Sequence, residues 1–138
     1  MADIIPLGLK NAEPEKITIN IGHVDLGRID LLVREGFYAN RTDFIRTAIR
    51  NQLATESDAI DASKARHRLE LGLFDLTREA LERVRDAGEM LHLRVMGLAR
   101  IAPDVTPDLA TATIGSLTVL GGLQAPRAVK AALADRIT

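Results

Sequence analysis

The feature that most constrains this chain is a change of period inside one stretch, KITINIGHVDLGRIDLLVREGFYANRTDFIRTAIRNQL, Lys16 to Leu53. In its first six residues Ile17, Ile19 and Ile21 fall on one face and Lys16, Thr18 and Asn20 on the other. That alternation of β-branched and polar residues marks a half-buried strand. From Val24 the apolar residues Leu26, Ile29, Leu32 and Val33 follow a helical stripe to Glu35, and Gly36 suits the end of that helix. Asn40 then stands as an N-cap with Asp43 three residues on, and Phe44, Ile45, Ala48, Ile49 and Leu53 line a second helix starting near Arg41. One strand followed by two helices has no sheet of its own. Its backbone groups and its isoleucines are satisfied only if a second copy supplies the pairing strand, so folding and dimerisation of this region are expected to be one event.

Two copies of the strand, paired antiparallel over four helices, present Lys16, Thr18 and Asn20 twice on the polar side of a two-stranded ribbon. The DNA major groove, about 12 Å wide, admits such a ribbon, and these side-chain types reach base edges: Lys to guanine, Asn to adenine, Thr to either. The start of the second helix adds backbone N–H groups, the positive end of the helix dipole, and the side chains of Asn40, Arg41 and Thr42. Together they form a phosphate clamp. Net charge neither helps nor forbids this, since residues 1–54 carry seven basic and seven acidic side chains and the remainder 11 and 12.

Lys16–Leu53 resembles the ribbon-helix-helix DNA-binding domain of the CopG/Arc/MetJ superfamily, in its strand, its helix spacing and the segment ANRTDFIRTAIRNQL, which is similar to the family's frequent S-R-S-E-x-I-R-x-A-[LI]-R. The resemblance covers 38 of the 138 residues. It implies base contacts from Lys16, Thr18 and Asn20 and phosphate contacts from Asn40, Arg41 and Thr42. One departure is Gly22, where relatives often carry Pro at the start of the first helix.

Around this region the chain divides into an arm at 1–14 with little structure of its own, the strand and two helices at 15–54, a helical linker at 55–74, and a domain at 75–138. In the last, DLTREALERVRDAG reads as a helix capped by Asp75 or Thr77, with Leu76, Ala80, Leu81 and Val84 on one side. A weak repeat follows: LRVMGLARIAP from Leu93 and LTVLGGLQAP from Leu117 share L-x-V-[ML]-G and then Ala-Pro, 24 residues apart. Each suggests a strand leading into a short helix, with Pro107 and Pro126 as first-turn prolines. The fold class expected is therefore α+β: an N-terminal ribbon-helix-helix in an intertwined dimer, and a small C-terminal α/β oligomerisation domain of about two strands, its sheet completed by another subunit.

Several function classes fall away. The chain has no cysteine, which removes disulfides and thiol chemistry and fits a reducing cytoplasm. No segment has the apolar run of a signal peptide or membrane span, so a cytoplasmic location and no membrane partner are expected. Nickel-responsive members of the superfamily carry a sensor domain with a His-rich, Cys-containing site. Here His23, His67 and His92 are scattered, so neither a metal nor any other cofactor is expected. Asp104 and Asp108 flank VTP without a nucleophile or histidine near them, and read as helix capping rather than acid–base catalysis; no enzyme activity is expected. Gly97, Gly121 and Gly122 match no phosphate-binding loop and suit bends or close packing in strands.

The function expected is that of a sequence-specific transcriptional regulator, a repressor, that binds double-stranded DNA as a homodimer and forms tetramers or larger assemblies through its C-terminal half. Two other roles share the same DNA-binding region. An antitoxin would use its C-terminal segment to hold a toxin partner, although such tails are usually short and disordered when free, whereas 89–137 is apolar and regularly patterned. A plasmid-partition scaffold would use the tail to polymerise.

Overall fold

The computed structural model describes residues 5–6 and 14–138. The chain forms two compact units, one of Lys16–Ala65 and one joining Met1–Glu15 to Arg66–Thr138.

The Lys16–Ala65 unit holds three helices: α1 (His23–Arg34), α2 (Arg41–Thr55) and α3 (Ser57–Arg66). The first two lie within a residue of where their apolar stripes and caps place them. Gly36, at φ +84°, takes the left-handed conformation that ends α1, and Phe37 N donates to Leu32 O at 3.0 Å. Residues 14–20 form neither helix nor strand, and all are exposed. Ile29 is the only buried hydrophobic residue of this unit, while Ile49, Leu53 and Phe37 are exposed. Fifty residues with one buried apolar side chain have no core of their own.

The other unit is a sheet with helices on one face. Its strands are β1 (Ile5–Pro6), β2 (Glu70–Leu76), β3 (Leu91–Ile101) and β4 (Ile114–Gln124), in the order β1-β2-β3-β4. β1 is antiparallel to β2, and β2, β3 and β4 are mutually parallel. The crossovers carry α4 (Arg78–Asp86) and α5 (Pro107–Thr113), and α6 (Arg127–Ala132) follows β4. Leu76, Ile101 and Leu117 from the strands join Leu81, Val84, Leu109 and Val129 from the helices, and Leu133 just past α6, in one buried cluster. The C-terminus closes it: Arg136 Nη1 donates to Thr111 O at 2.7 Å and Ile114 O at 2.9 Å, and Thr138 N donates to Leu117 O at 2.9 Å.

Four expectations are corrected here. The C-terminal sheet has three parallel strands rather than about two, so it is built within one chain and does not depend on another subunit for completion. The missing strand is β2, which begins inside the stretch expected to be a helical linker; of that linker only Thr55, at the end of α2, and Ser57–Arg66 are helical. Asp75 is a strand residue whose carboxylate lies 3.4 Å from Arg100 on β3, and Thr77 is the cap of α4, its hydroxyl accepting from Ala80 N at 3.1 Å. Most of the N-terminal arm lies outside the described residues, but Ile5 and Pro6 pair with Asp75 and Phe74.

The repeat is threefold, not twofold. Gly72, Gly97 and Gly121 sit side by side across β2, β3 and β4, at φ +150°, +140° and +120°. A Cβ on Gly97 would collide with the carbonyl oxygen of Gly72, and one on Gly121 with that of Gly97. β3 and β4 thus need glycine where the neighbouring strand's backbone comes closest, while a Cβ on Gly72 would meet only the Phe74 ring. Caps recur as well: Thr106 accepts from Leu109 N at 3.2 Å at the head of α5, with Pro107 in the first turn and Asp108 beside it, whereas Pro126 is the residue before α6 rather than its first.

Candidate nucleic-acid interface

The six residues singled out for DNA contact all belong to the Lys16–Ala65 unit and are all exposed. Lys16, Thr18 and Asn20 lie together on the segment leading into α1. Between them Ile17 and Ile19 are 75% and 64% exposed, a cost no single chain in water relieves. Asn40, Arg41 and Thr42 lie together at the head of α2.

That head is rigidly built. Asn40 is extended (φ −164°, ψ 178°), and its Oδ1 accepts from Asp43 N at 2.8 Å. Asp43 answers by accepting from Ala39 N at 2.9 Å, a reciprocal arrangement of the capping-box kind. Tyr38 and Phe44 meet edge to face, centroids 5.1 Å apart, pinning the turn to the second turn of the helix. Phe44 N donates to the Asn40 carbonyl at 3.2 Å. Among the described residues this leaves the amides of Arg41 and Thr42 for an incoming anion, at the positive end of a 15-residue helix.

Arg41 is not idle. Its Nε and Nη2 donate to the two carboxylate oxygens of Asp30 on α1, at 2.7 and 2.8 Å. The guanidinium holds the Asp30 carboxyl below the ordinary carboxylate range, chiefly through that hydrogen bond, and Asp30 in return raises the pKa of Arg41. This partner was missed from the sequence. Eleven residues and a turn separate the two, a spacing that carries no periodic signal. Arg46 and Arg50, four apart and exposed on α2, also went unassigned, though their spacing puts them on one side of the helix.

The family model of the ribbon-helix-helix transcriptional regulators matches residues 12–130. The chain belongs to that family. The match runs through both units, from before Lys16 into α6, so the sheet-bearing unit of this ribbon-helix-helix regulator falls within what the family shares. Ribbon-helix-helix regulators bind DNA as dimers. No curated protein and no solved structure matches the chain. Among the described residues no helix is long and apolar enough to cross a membrane.

Proposed function

We propose that this regulator is a sequence-specific repressor whose dimer reads the major groove with a two-stranded ribbon. Lys16, Thr18 and Asn20 face base edges, while Asn40, Arg41 and Thr42 seat the flanking phosphates. The observation that carries the reading is the 75% and 64% exposure of Ile17 and Ile19, beside a polar row and above helices with almost no core. Pairing with the same segment of a second copy buries those isoleucines, satisfies the backbone of 16–21, and sets the polar row outward in a single step.

The sheet-bearing unit joins dimers into tetramers in this reading. Leu71 and Leu120, 67% and 52% exposed, lie in line with Met96 across the sheet, outside the cluster shared with the helices. Bound to adjacent half-sites, two dimers joined this way raise each other's effective concentration. The test is a fluorescence-polarisation titration against the DNA upstream of the protein's own gene, at fixed salt, beside a random duplex. Affinity for the upstream DNA at least a thousandfold tighter, roughly the lower bound for specific binding, is the expected result. Equal affinity for both duplexes would end the claim of specificity.

A further inference from the structure

β4 has the position of an edge strand and the composition of a central one. It is the last strand of the sheet, yet its sequence, IGSLTVLGGLQ, has neither a charged residue nor a proline in 11 residues. Edge strands of soluble proteins are blunted by charges, by proline or by a covering segment, because their free N–H and C=O groups otherwise pair with any strand that meets them. The opposite edge follows that rule: β2 carries Glu70 and Asp75, and β1 with its Pro6 lies against the end of it.

Only the first half of the β4 edge is covered. Leu117 N donates to Arg136 O at 2.9 Å, Val119 N to Thr138 O at 3.3 Å, and Thr138 N to Leu117 O at 2.9 Å. Residues 117 and 119 therefore turn their backbone groups away from β3. The register with β3 runs unbroken from Ser116 to Gln124, so by alternation Gly121 and Leu123 turn theirs the same way. Among the described residues no backbone group pairs with Gly121 or Leu123 on that outer side.

We infer that β4 of a second copy pairs here, antiparallel, about a two-fold axis at Gly122. The open stretch Leu120–Gln124 is centred on that residue, so Gly121 of each copy stands opposite Leu123 of the other and the two exchange both backbone hydrogen bonds. The side chains allow this register: each Leu123 meets a glycine, Gly122 meets Gly122 at the axis, and Leu120, 52% exposed, lies opposite Gln124. Such a pair closes on itself, whereas a parallel partner would leave a fresh edge free to grow. The occupant is a second copy because the stretch is self-complementary and because ribbon-helix-helix regulators bind DNA as dimers, which brings identical edges together. One group opposes the pairing. The Glu15 carboxylate stands beside Gly122, its Oε2 3.2 Å from where a Cβ would lie, and two such carboxylates approach each other across the axis. The inference rests on the reading that the sheet-bearing unit joins dimers, and it makes a strand edge the joint; each sheet folds without it.

Sedimentation velocity of the full-length protein without DNA, together with hydrogen exchange read at single amides, tests it. The parent is expected to form tetramers in which the amides of Gly121 and Leu123 are protected. Leu120→Lys/Gln124→Lys sets lysine opposite lysine in this register and should weaken tetramer formation about tenfold or more, with faster exchange at 121 and 123. Leu120→Lys/Gln124→Glu sets opposite charges at the same places and should recover most of the association. Glu15→Gln should strengthen it several-fold. Circular dichroism on each variant confirms an intact fold. A parent that never exceeds a dimer overturns the tetramer reading and this inference together. A tetramer whose Gly121 and Leu123 amides exchange freely, or in which the two charge variants behave alike, overturns the strand-edge joint and leaves the tetramer reading standing.

Discussion

Arg41 donates two hydrogen bonds to Asp30, so under the proposed function a phosphate arriving at the head of α2 competes with a carboxylate 2.7 Å away. Removing that competitor should free the guanidinium: Asp30→Asn is expected to bind all duplexes more tightly and to steepen the dependence of affinity on salt, read by polarisation at several salt concentrations. Arg41→Ala should do the reverse, weakening every sequence alike and lowering the salt slope by about 1. Asn20→Ala should behave differently from both, costing about 1–3 kcal/mol on the preferred site and relaxing a single base position. If Asn20→Ala weakens random and preferred DNA equally, Asn20 reads no base. The pH dependence follows from Asp30, whose carboxyl is held below its ordinary value of 3.8 by Arg41. A depressed carboxyl pKa keeps the pair intact above the ordinary value and surrenders it only as pH falls through the lowered one. Between pH 5 and 8 the gain from Asp30→Asn should therefore be constant; a gain that disappears toward pH 5 would mean the pair is already lost there.

At the scale of elements, α1 and α2 were legible because their apolar stripes, the Gly36 stop and the Asn40 cap are local signals that need no tertiary context. β3 and β4 showed through their shared L-x-V-[ML]-G, and the start of α5 through Pro107 and Asp108 in its first turn. β2 was hidden because its seven residues, ELGLFDL, include two acids and lie on the sheet flank where Glu70 and Leu71 stay exposed. The signal that could have revealed it was glycine: Gly72 precedes Gly97 by 25 residues, as Gly97 precedes Gly121 by 24. The Asn40 cap was readable from one helix start, but Asp30, which pairs with Arg41 beside that cap, comes from another element, and nothing in a linear pattern reports that. The glycine column yields its own prediction. Gly97→Ala places a methyl group against the Gly72 carbonyl oxygen at a φ that alanine resists. A loss of about 1–3 kcal/mol in urea unfolding is expected, with Gly121→Ala similar because it meets the Gly97 carbonyl in the same way. Gly88→Ala, also at positive φ but with nothing near its Cβ, should cost less. Equal losses at 88 and 97 would mean that backbone conformation alone, and not close approach between strands, fixes these glycines.

The two units of the whole molecule differ in what they need to be stable. The sheet-bearing unit buries twelve residues in one cluster and closes it with its own C-terminus, so its protection is complete within a chain. The Lys16–Ala65 unit buries Ile29 and exposes Ile17, Ile19, Ile49 and Leu53, so in the proposed dimer its stability comes from a second copy and scales with concentration. Hydrogen exchange resolved by segment, at two protein concentrations a hundredfold apart, separates these cases. On dilution the amides of α1 and α2 should exchange faster as dimers dissociate, by up to about a hundredfold if folding and association are fully coupled. Those of β4 at Leu117 and Val119, held to the C-terminal residues by bonds of 2.9 and 3.3 Å, should keep their rates. Added duplex DNA should slow exchange in α1 and α2 at the low concentration, because ligand binding to the dimer draws the equilibrium back toward it. Rates in α1 and α2 that ignore dilution would show a unit stable as a monomer, and a stable monomer has no need to pair residues 16–21 with a partner.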